Sequence, residues 1–262
     1  MSRYAQLFDR LGEEGAFGAF LMLGDPDLAT CARLLDDAVD AGADMIEVGI
    51  PFSDPVADGP VIQAAAQRAL AAGANVDACF KLLADFRARH PDVPIGVLTY
   101  ANLVMARAGF HRDAAEAGVD SLLIADLPAL EAEPFAKAMI QAGIEPVLIA
   151  AANTPDATLA RIGELSKAYT YCVSRRGITG THAGGEFNVE LVDRVKAVSA
   201  PPPVFGFGIS TPEHVRAAVA AGARGVICGS AIVEKVALGE DITGLIRSLK
   251  AATTERVGAA MN

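Results

Sequence analysis

The sequence predicts an α/β protein: a (β/α)8 barrel with an extra N-terminal helix. Three observations predict it. The chain has 262 residues, which suits one complete barrel of about 250 residues. A unit of Ala-rich helix, glycine and short apolar run recurs along it. The strand–helix alternation fills eight positions without a dinucleotide-binding glycine fingerprint, favouring a barrel over a doubly wound sheet.

The repeat is legible residue by residue. Ala41-Gly42-Ala43-Asp44 leads into Met45–Val48, and Ala117-Gly118-Val119-Asp120 into Ser121–Ile124. Ala142-Gly143-Ile144-Glu145 leads into Pro146–Ile149, and Ala221-Gly222-Ala223-Arg224 into Gly225–Cys228. The glycine supplies the left-handed conformation that ends a helix at low cost. The apolar run then reads as a parallel strand buried on both faces. Copies at Gly118 and Gly143 lie roughly 25 residues apart, one βα unit, and the other gaps are about three times that.

In chain order, Tyr4, Leu7, Phe8 and Leu11 share one face of a first helix, placed to cap the barrel bottom. Eight strands are expected near Phe17–Leu23, Asp44–Gly49, Pro94–Tyr100, Ser121–Asp126, Pro146–Ala151, Tyr169–Ser174, Val204–Gly208 and Gly225–Gly229. Right-handed crossovers close them into a ring. Thr211-Pro212-Glu213 opens one of the later helices, a capping side chain followed by proline in the first turn. No linker composition interrupts the chain, so residues 1–262 read as a single TIM-barrel domain.

Hydrophobic residues make up 52% of the chain and charged residues 21%, enough apolar surface for a large core and against extensive disorder. The net charge is -10, and no dense Lys/Arg run appears. Nucleic acid and anionic membranes are therefore disfavoured as partners. A small phosphorylated substrate is not, since a few backbone N–H groups hold one phosphate. Cys31, Cys79, Cys172 and Cys228 form no CxxC pair and read as reduced thiols of a cytoplasmic protein. The N-terminus lacks a signal-peptide apolar segment, and no apolar run reaches the ~18 residues of a membrane span.

Chemistry in such a barrel belongs at strand C-terminal ends and the loops beyond. Three acids stand there. Glu47 sits among apolar neighbours, where ionisation is costly unless paired and its pKa is raised toward neutrality. It is either an acid–base group or a structural carboxylate bonded within the barrel. Asp58, next to Gly59-Pro60, is a second candidate or a turn former. Asp126, before Leu127-Pro128, reads equally as a cap or turn residue. Three glycine-bearing segments follow later strands: Gly177–Gly180, Gly206–Ser210 and Gly229-Ser230. Loops after strands seven and eight with a helix N-terminus make the usual phosphate site of this fold; the alternative is that these glycines only relieve crowding. The polar stretch Arg175–Gly185 reads as a lid over ligand or as a plain surface loop. No lysine ends an expected strand, against Schiff-base chemistry. His90, His111, His182 and His214 lie apart, as surface residues without metal-ligand spacing, so no metal is expected.

At these residues the sequence resembles the tryptophan synthase alpha family. The likeness rests on Leu23–Pro26, Glu47–Pro55, Ala57–Pro60, Tyr100–Asn102, Asp126–Pro128, Tyr169–Tyr171, Gly177–Gly180, Gly206–Ser210 and Gly229–Val233. The resemblance implies a lyase that splits indole-3-glycerol phosphate into indole and glyceraldehyde 3-phosphate. It implies Glu47 as the acid–base residue, Asp58 as acceptor of the indole N–H, and Tyr171 beside the glycerol chain. Gly180, Gly206, Gly208, Gly229 and Ser230 would hold the phosphate. Phe20, Leu98, Tyr100, Leu123 and Ala125 would line the indole pocket, with Thr179 meeting Asp58 from the lid. Pro51, Asp54 and Pro55 would contact a beta subunit in an α2β2 complex. No cofactor is expected in this chain; pyridoxal phosphate would reside in beta. Residues 149–156 and the segment after Gly180 match the family pattern only loosely. A stand-alone indole-3-glycerol phosphate lyase, a non-catalytic activating barrel and another phosphosugar barrel enzyme are the rival readings.

Overall fold

A computed structural model describes residues 1–173 and 187–254. Its strands are β1 (Ala16–Met22), β2 (Met45–Gly49), β3 (Ile95–Thr99), β4 (Ser121–Ile124), β5 (Glu145–Pro146), β6 (Leu148–Ala151), β7 (Thr170–Val173), β8 (Pro203–Phe205) and β9 (Gly225–Cys228). The helices are α1 (Arg3–Leu11), α2 (Leu28–Asp40), α3 (Pro60–Ala71), α4 (Val76–Arg89), α5 (Ala101–Ala106), α6 (Phe110–Glu116), α7 (Glu133–Gln141), α8 (Asp156–Leu165), α9 (Val189–Ala197), α10 (Pro212–Ala220), α11 (Ser230–Leu238) and α12 (Thr243–Ala251).

All strand pairs are parallel, in the order β5-β4-β3-β2-β1-β9-β8-β7-β6. The two ends of that order, β5 and β6, are consecutive in the chain, so the ring closes on them. The expected fifth strand is thus two short segments flanking Val147. Proline at 146 has no N–H to give a ladder, and the pairing changes partner there. The Val147 N–H still reaches Leu122 O on the β4 side (3.0 Å), while Pro146 O takes Lys167 N–H on the β7 side (2.9 Å). The seventh barrel strand, β8, stops at Phe205, short of the expected Gly208, because its glycines turn into the loop. The last positions expected of several other strands likewise fall in the loops beyond them.

Side chains alternate between two apolar regions, as a strand's two-residue period requires. Phe17, Ile46, Val97, Leu122, Cys172, Phe205 and Val226 face the helical shell. Phe20, Met45, Leu98, Leu123, Tyr169, Tyr171, Val204 and Ile227 fill the barrel interior. Helix α1 closes the bottom: Tyr4 and Leu7 are buried, and Phe8 and Leu11 pack against the same interior cluster. The Tyr4 hydroxyl meets Ser121 Oγ at 2.9 Å, at the start of β4.

The repeat's glycines do what their sequence position requires. Gly42, Gly118, Gly143 and Gly222 have φ of 103°, 87°, 82° and 92°, where a side chain is strained. The aspartate two residues on is structural. Asp44 Oδ2 accepts Phe17 N–H (2.8 Å) and Asp120 Oδ2 accepts Ile95 N–H (2.8 Å), each tying one strand start to its neighbour. Asp120 also takes Arg87 and Arg3, and Asp44 takes Lys250. The four cysteines are free and buried. Among the described residues no helix is long and apolar enough to cross a membrane.

Candidate active site

Glu47 is the middle residue of β2, in register with Phe20 of β1 and Gly96 of β3. Strand parity turns it into the interior, where it is 3% exposed. Gly96 beside it is a requirement of space. A Cβ there would lie 3.0 Å from both Tyr4 Oη and Ser121 Oγ and 3.5 Å from Tyr169 Oη. The missing side chain leaves room for three hydroxyls next to the carboxyl group. Tyr169 Oη donates to Glu47 Oε1 at 3.0 Å. Burial pushes the Glu47 pKa up to about 7; the Tyr169 bond pulls against that and the charge of Asp58 adds to it. A carboxyl group poised there gives and takes protons near neutral pH.

Asp58 comes from the loop between β2 and α3. Its N–H donates to Pro55 O (3.1 Å), and Gln63 Nε2 donates to its carbonyl (2.8 Å). Pro60 then starts α3 with Gly59 as N-cap. Tyr100 holds the side chain: its hydroxyl donates to Asp58 Oδ2 (2.8 Å) and accepts Ala57 N–H (3.2 Å). Phe52 stacks on the Tyr100 ring at 5.3 Å. Partial burial raises the Asp58 pKa, and the Tyr100 bond opposes it.

Both carboxyl groups line one cavity of about 320 Å³, within the range of small-ligand sites. Phe20, Ile62, Leu98 and Ile227 form its apolar walls, and Gly206 to Ser210, Gly229 and Ser230 line it as well. Gly208 has φ 82°. Ser230 begins α11, with Gly229 at its N-cap. The first N–H groups of a helix have no intrahelical acceptor and carry the positive end of its dipole. Such a helix end can hold an anion without a cationic side chain. Tyr171 stands between the two ends. A Cβ on Gly206 would meet Tyr171 Oη at 1.8 Å, so glycine lets the phenol lie flat on the loop. Phe207 packs edge-on against the Tyr171 ring (5.8 Å, 74°). Burial, then the charges of Glu47 and Asp58, keep the Tyr171 phenol protonated.

Of the residues expected from sequence, Glu47, Asp58, Tyr171, Phe20, Leu98, Gly206, Gly208, Gly229 and Ser230 meet in this cavity. Tyr100 joins through its bond to Asp58. Leu123 is buried in the same interior cluster, and Ala125 packs against it, without forming the cavity's surface. Thr179 and Gly180, with the whole expected lid from Arg175 to Gly185, lie outside the described residues. Asp126 is a cap: its Oδ1 accepts Ala101 N–H at the start of α5 (2.8 Å). Pro51, Asp54 and Pro55 lie on the loop that carries Asp58, with Asp54 exposed and Pro51 buried.

Sequence reasoning missed several walls. Ile227 sits two residues before Gly229 on the inward parity of its strand, a signal that was readable. Ile62 lies just inside α3. Ser210, His214 and Glu234 also line the cavity. His214 is only partly buried, as a surface residue would be, but the first turn of α10 carries its ring to the glycine loop, where it lines the cavity. His90 is likewise engaged, with Nε2 2.9 Å from Asp36 Oδ1. Among the described residues no three His, Cys, Asp or Glu side chains are grouped to hold a metal.

A glycine-built helix N-terminus after the last two barrel strands, sharing a cavity with two carboxyl groups, is the layout of a barrel enzyme that acts on a small phosphorylated molecule. The comparisons with known proteins specify it. A family model described as tryptophan synthase alpha chain matches residues 8–260. The tryptophan synthase alpha chain of Shewanella amazonensis is 47% identical over 256 residues, covering 95% of this chain and 96% of its own. That of Serratia proteamaculans is 50% identical over 239 residues, 89% of each chain. Among solved structures, a tryptophan synthase chain of Mycobacterium tuberculosis superposes with a TM-score of 0.88 at 31% identity, over 97% of this chain and 99% of that one. The chain belongs to the tryptophan synthase alpha chain family and is a lyase of tryptophan biosynthesis.

Proposed function

We propose that this chain, as one barrel domain spanning residues 1–262, cleaves indole-3-glycerol phosphate by means of Glu47 and Asp58. The reading rests on one observation: both carboxyl groups line the same cavity as the glycine-built N-terminus of α11. The phosphate lodges on Gly206, Gly208, Gly229 and Ser230; Gly180, outside the described residues, is the further residue expected to hold it. The indole ring lies along Phe20 and Leu98, with Leu123, Ala125 and Tyr100 behind; Thr179, outside the described residues, is the residue expected to meet Asp58.

In the reaction Glu47, protonated, delivers its proton to the ring carbon that bears the glycerol chain. Asp58 accepts the ring N–H and balances the positive charge of the indolenine-like ring. Glu47, now a carboxylate, takes the proton from the hydroxyl adjacent to the ring. The oxygen pair forms the aldehyde, the carbon–carbon bond breaks, and its electrons restore the aromatic ring. Indole and glyceraldehyde 3-phosphate result, and Glu47 ends protonated as it began. Two carboxyl groups in different environments divide this work without a third reagent. Tyr171 fixes the glycerol chain between them.

The loop bearing Pro51, Asp54 and Pro55 would meet a tryptophan synthase beta subunit in an α2β2 complex, in the cytoplasm, with pyridoxal phosphate in that partner. The test is indole release by the native chain, Glu47→Gln and Asp58→Asn, each with and without a beta chain. The native chain should be slow alone and accelerate with beta; both variants should lose at least about 100-fold. Near-native turnover in Glu47→Gln would overturn its role, and fast turnover unaffected by beta would make this a stand-alone lyase.

A further inference from the structure

His214 is not accounted for by the scheme above, yet it stands in the wall that would hold the phosphate. Its backbone is fixed: the His214 N–H donates to Thr211 Oγ1 (3.4 Å), the N-cap of α10. Its ring reaches back to the glycine loop. Ser210 N–H points at His214 Nδ1 (3.3 Å), and Ser210 Oγ lies 3.2 Å from the same nitrogen. An N–H donor aimed at Nδ1 requires that nitrogen to be bare, so the neutral ring carries its proton on Nε2. In that state Ser210 N–H, in the loop continuous with Gly206 and Gly208, is spent on an imidazole.

We propose that His214 is a proton-gated positioning residue of the anion site. When the ring is protonated, Nδ1 becomes a donor. It can no longer accept Ser210 N–H and instead donates to Ser210 Oγ, whose lone pairs are available. The Ser210 amide is released toward the cavity, where an anion accepts it, and the imidazolium adds a positive charge to the same wall. Proton uptake by the ring and anion binding then reinforce each other reciprocally. Histidine is the side chain that changes charge in the neutral range. This inference rests on the phosphate reading of the Gly206–Ser230 wall.

The surrounding charges, among the described residues, are known. Glu213 precedes His214 on the same turn and is paired with Arg216 (2.6 Å). Glu234 of α11 and, across the cavity, Glu47 and Asp58 share the space with the ring. Glu234 lies one turn from Ser230 and opposes an anion there. A cationic ring offsets that repulsion, and a neutral one does not.

Inorganic sulfate is the probe, because it stays a dianion from pH 5.5 to 8.5 while phosphate esters titrate. Its affinity for the full chain is measured calorimetrically at both ends of that range, beside His214→Gln, which cannot take up a proton. Any change of charge at Glu47 and Asp58 is common to both proteins, so the difference between them isolates the ring. The native chain should gain about tenfold more affinity on acidification than the variant. Without anion, the Ser210 amide signal in NMR should shift over the same pH range in the native chain alone. Equal gains in the two proteins, or a Ser210 signal insensitive to pH, would overturn the proposal. Absence of both sulfate and glycerol phosphate binding at every pH would instead remove the anion site itself, and the proposed function with it.

Discussion

The hydroxyl of Tyr169 donates to Oε1 of Glu47 over 3.0 Å, between two groups buried at the centre of the barrel. The bond steadies a carboxylate that the surrounding burial disfavours. Glu47 is therefore set by two opposed influences, the larger being desolvation, with a pKa of about 7 against an ordinary 4.5.

A pH dependence of activity follows. kcat/KM should show a limb near pH 7 that is absent from the residual activity of Glu47→Gln. Tyr169→Phe removes the opposing influence, so that limb should move to higher pH. A limb unmoved in Tyr169→Phe would show that the bond does not tune the carboxyl group.

Stability should respond to the same group. Folded Glu47 keeps its proton to about pH 7, while unfolded glutamate loses it near 4.5. Between those values the folded chain binds more protons, so its stability falls as pH rises through that window and levels off above it. The loss is on the order of 3 kcal/mol. Glu47→Gln escapes it, and its melting temperature should gain on that of the native chain between pH 5 and pH 8. A gain in the opposite sense would contradict the burial described here.

Tyr100 and Asp58 offer a graded comparison. Asp58→Asn should lose about 100-fold or more in indole release while retaining sulfate binding. Tyr100→Phe keeps the carboxylate but frees its orientation, and should cost kcat about tenfold with little change in anion affinity. Equal losses in the two variants would mean that Tyr100 does more than hold Asp58.

Gly206 and Tyr171 should behave as one unit. Gly206→Ala puts a methyl group 1.8 Å from Tyr171 Oη and 2.0 Å from its Cζ. Sulfate affinity and turnover should both fall steeply. Tyr171→Phe cannot relieve the clash, because Cζ stays; Tyr171→Ala should restore sulfate binding in the double variant. Rescue by phenylalanine would show that the loop, not the ring, gives way.

Asp25 is buried and takes both arms of Arg68 (2.8 Å each), joining the β1 end to α3. Arg68→Ala strands that carboxylate and should cost about 3 kcal/mol by urea unfolding. Adding Asp25→Asn should return part of it. A cost below about 0.5 kcal/mol would put the pair among ordinary surface bridges.

The barrel was readable because each repeat carries its own punctuation: a glycine forced to positive φ at 42, 118, 143 and 222, then a run apolar on both faces. Glu47 was readable as a candidate because a carboxylate in such a run is costly unless it is bonded or functional. Its partners were not. Tyr169 and Glu47 are far apart in the chain, and only the ring's closure sets their hydroxyl and carboxyl group together. The place of His214 at the cavity was missed because helix position alone does not reveal a ring folded back onto the preceding loop. The split at Val147 was hidden for a related reason: Pro146 signals a lost N–H, but not which neighbour the strand then chooses. Leu123 has the inward parity of a lining residue, yet packing within the interior cluster keeps it from the cavity surface.

The plug made by Tyr4 and Leu7 beneath the carboxyl group turns the barrel into a blind shaft. Molecules must come and go by the upper rim. On the proposed reading the ring enters first and the charged tail last, so after cleavage the two fragments stand in a queue, aromatic piece innermost. A beta chain seated on the loop around Asp54, as proposed, would stand beside the way out for that inner fragment.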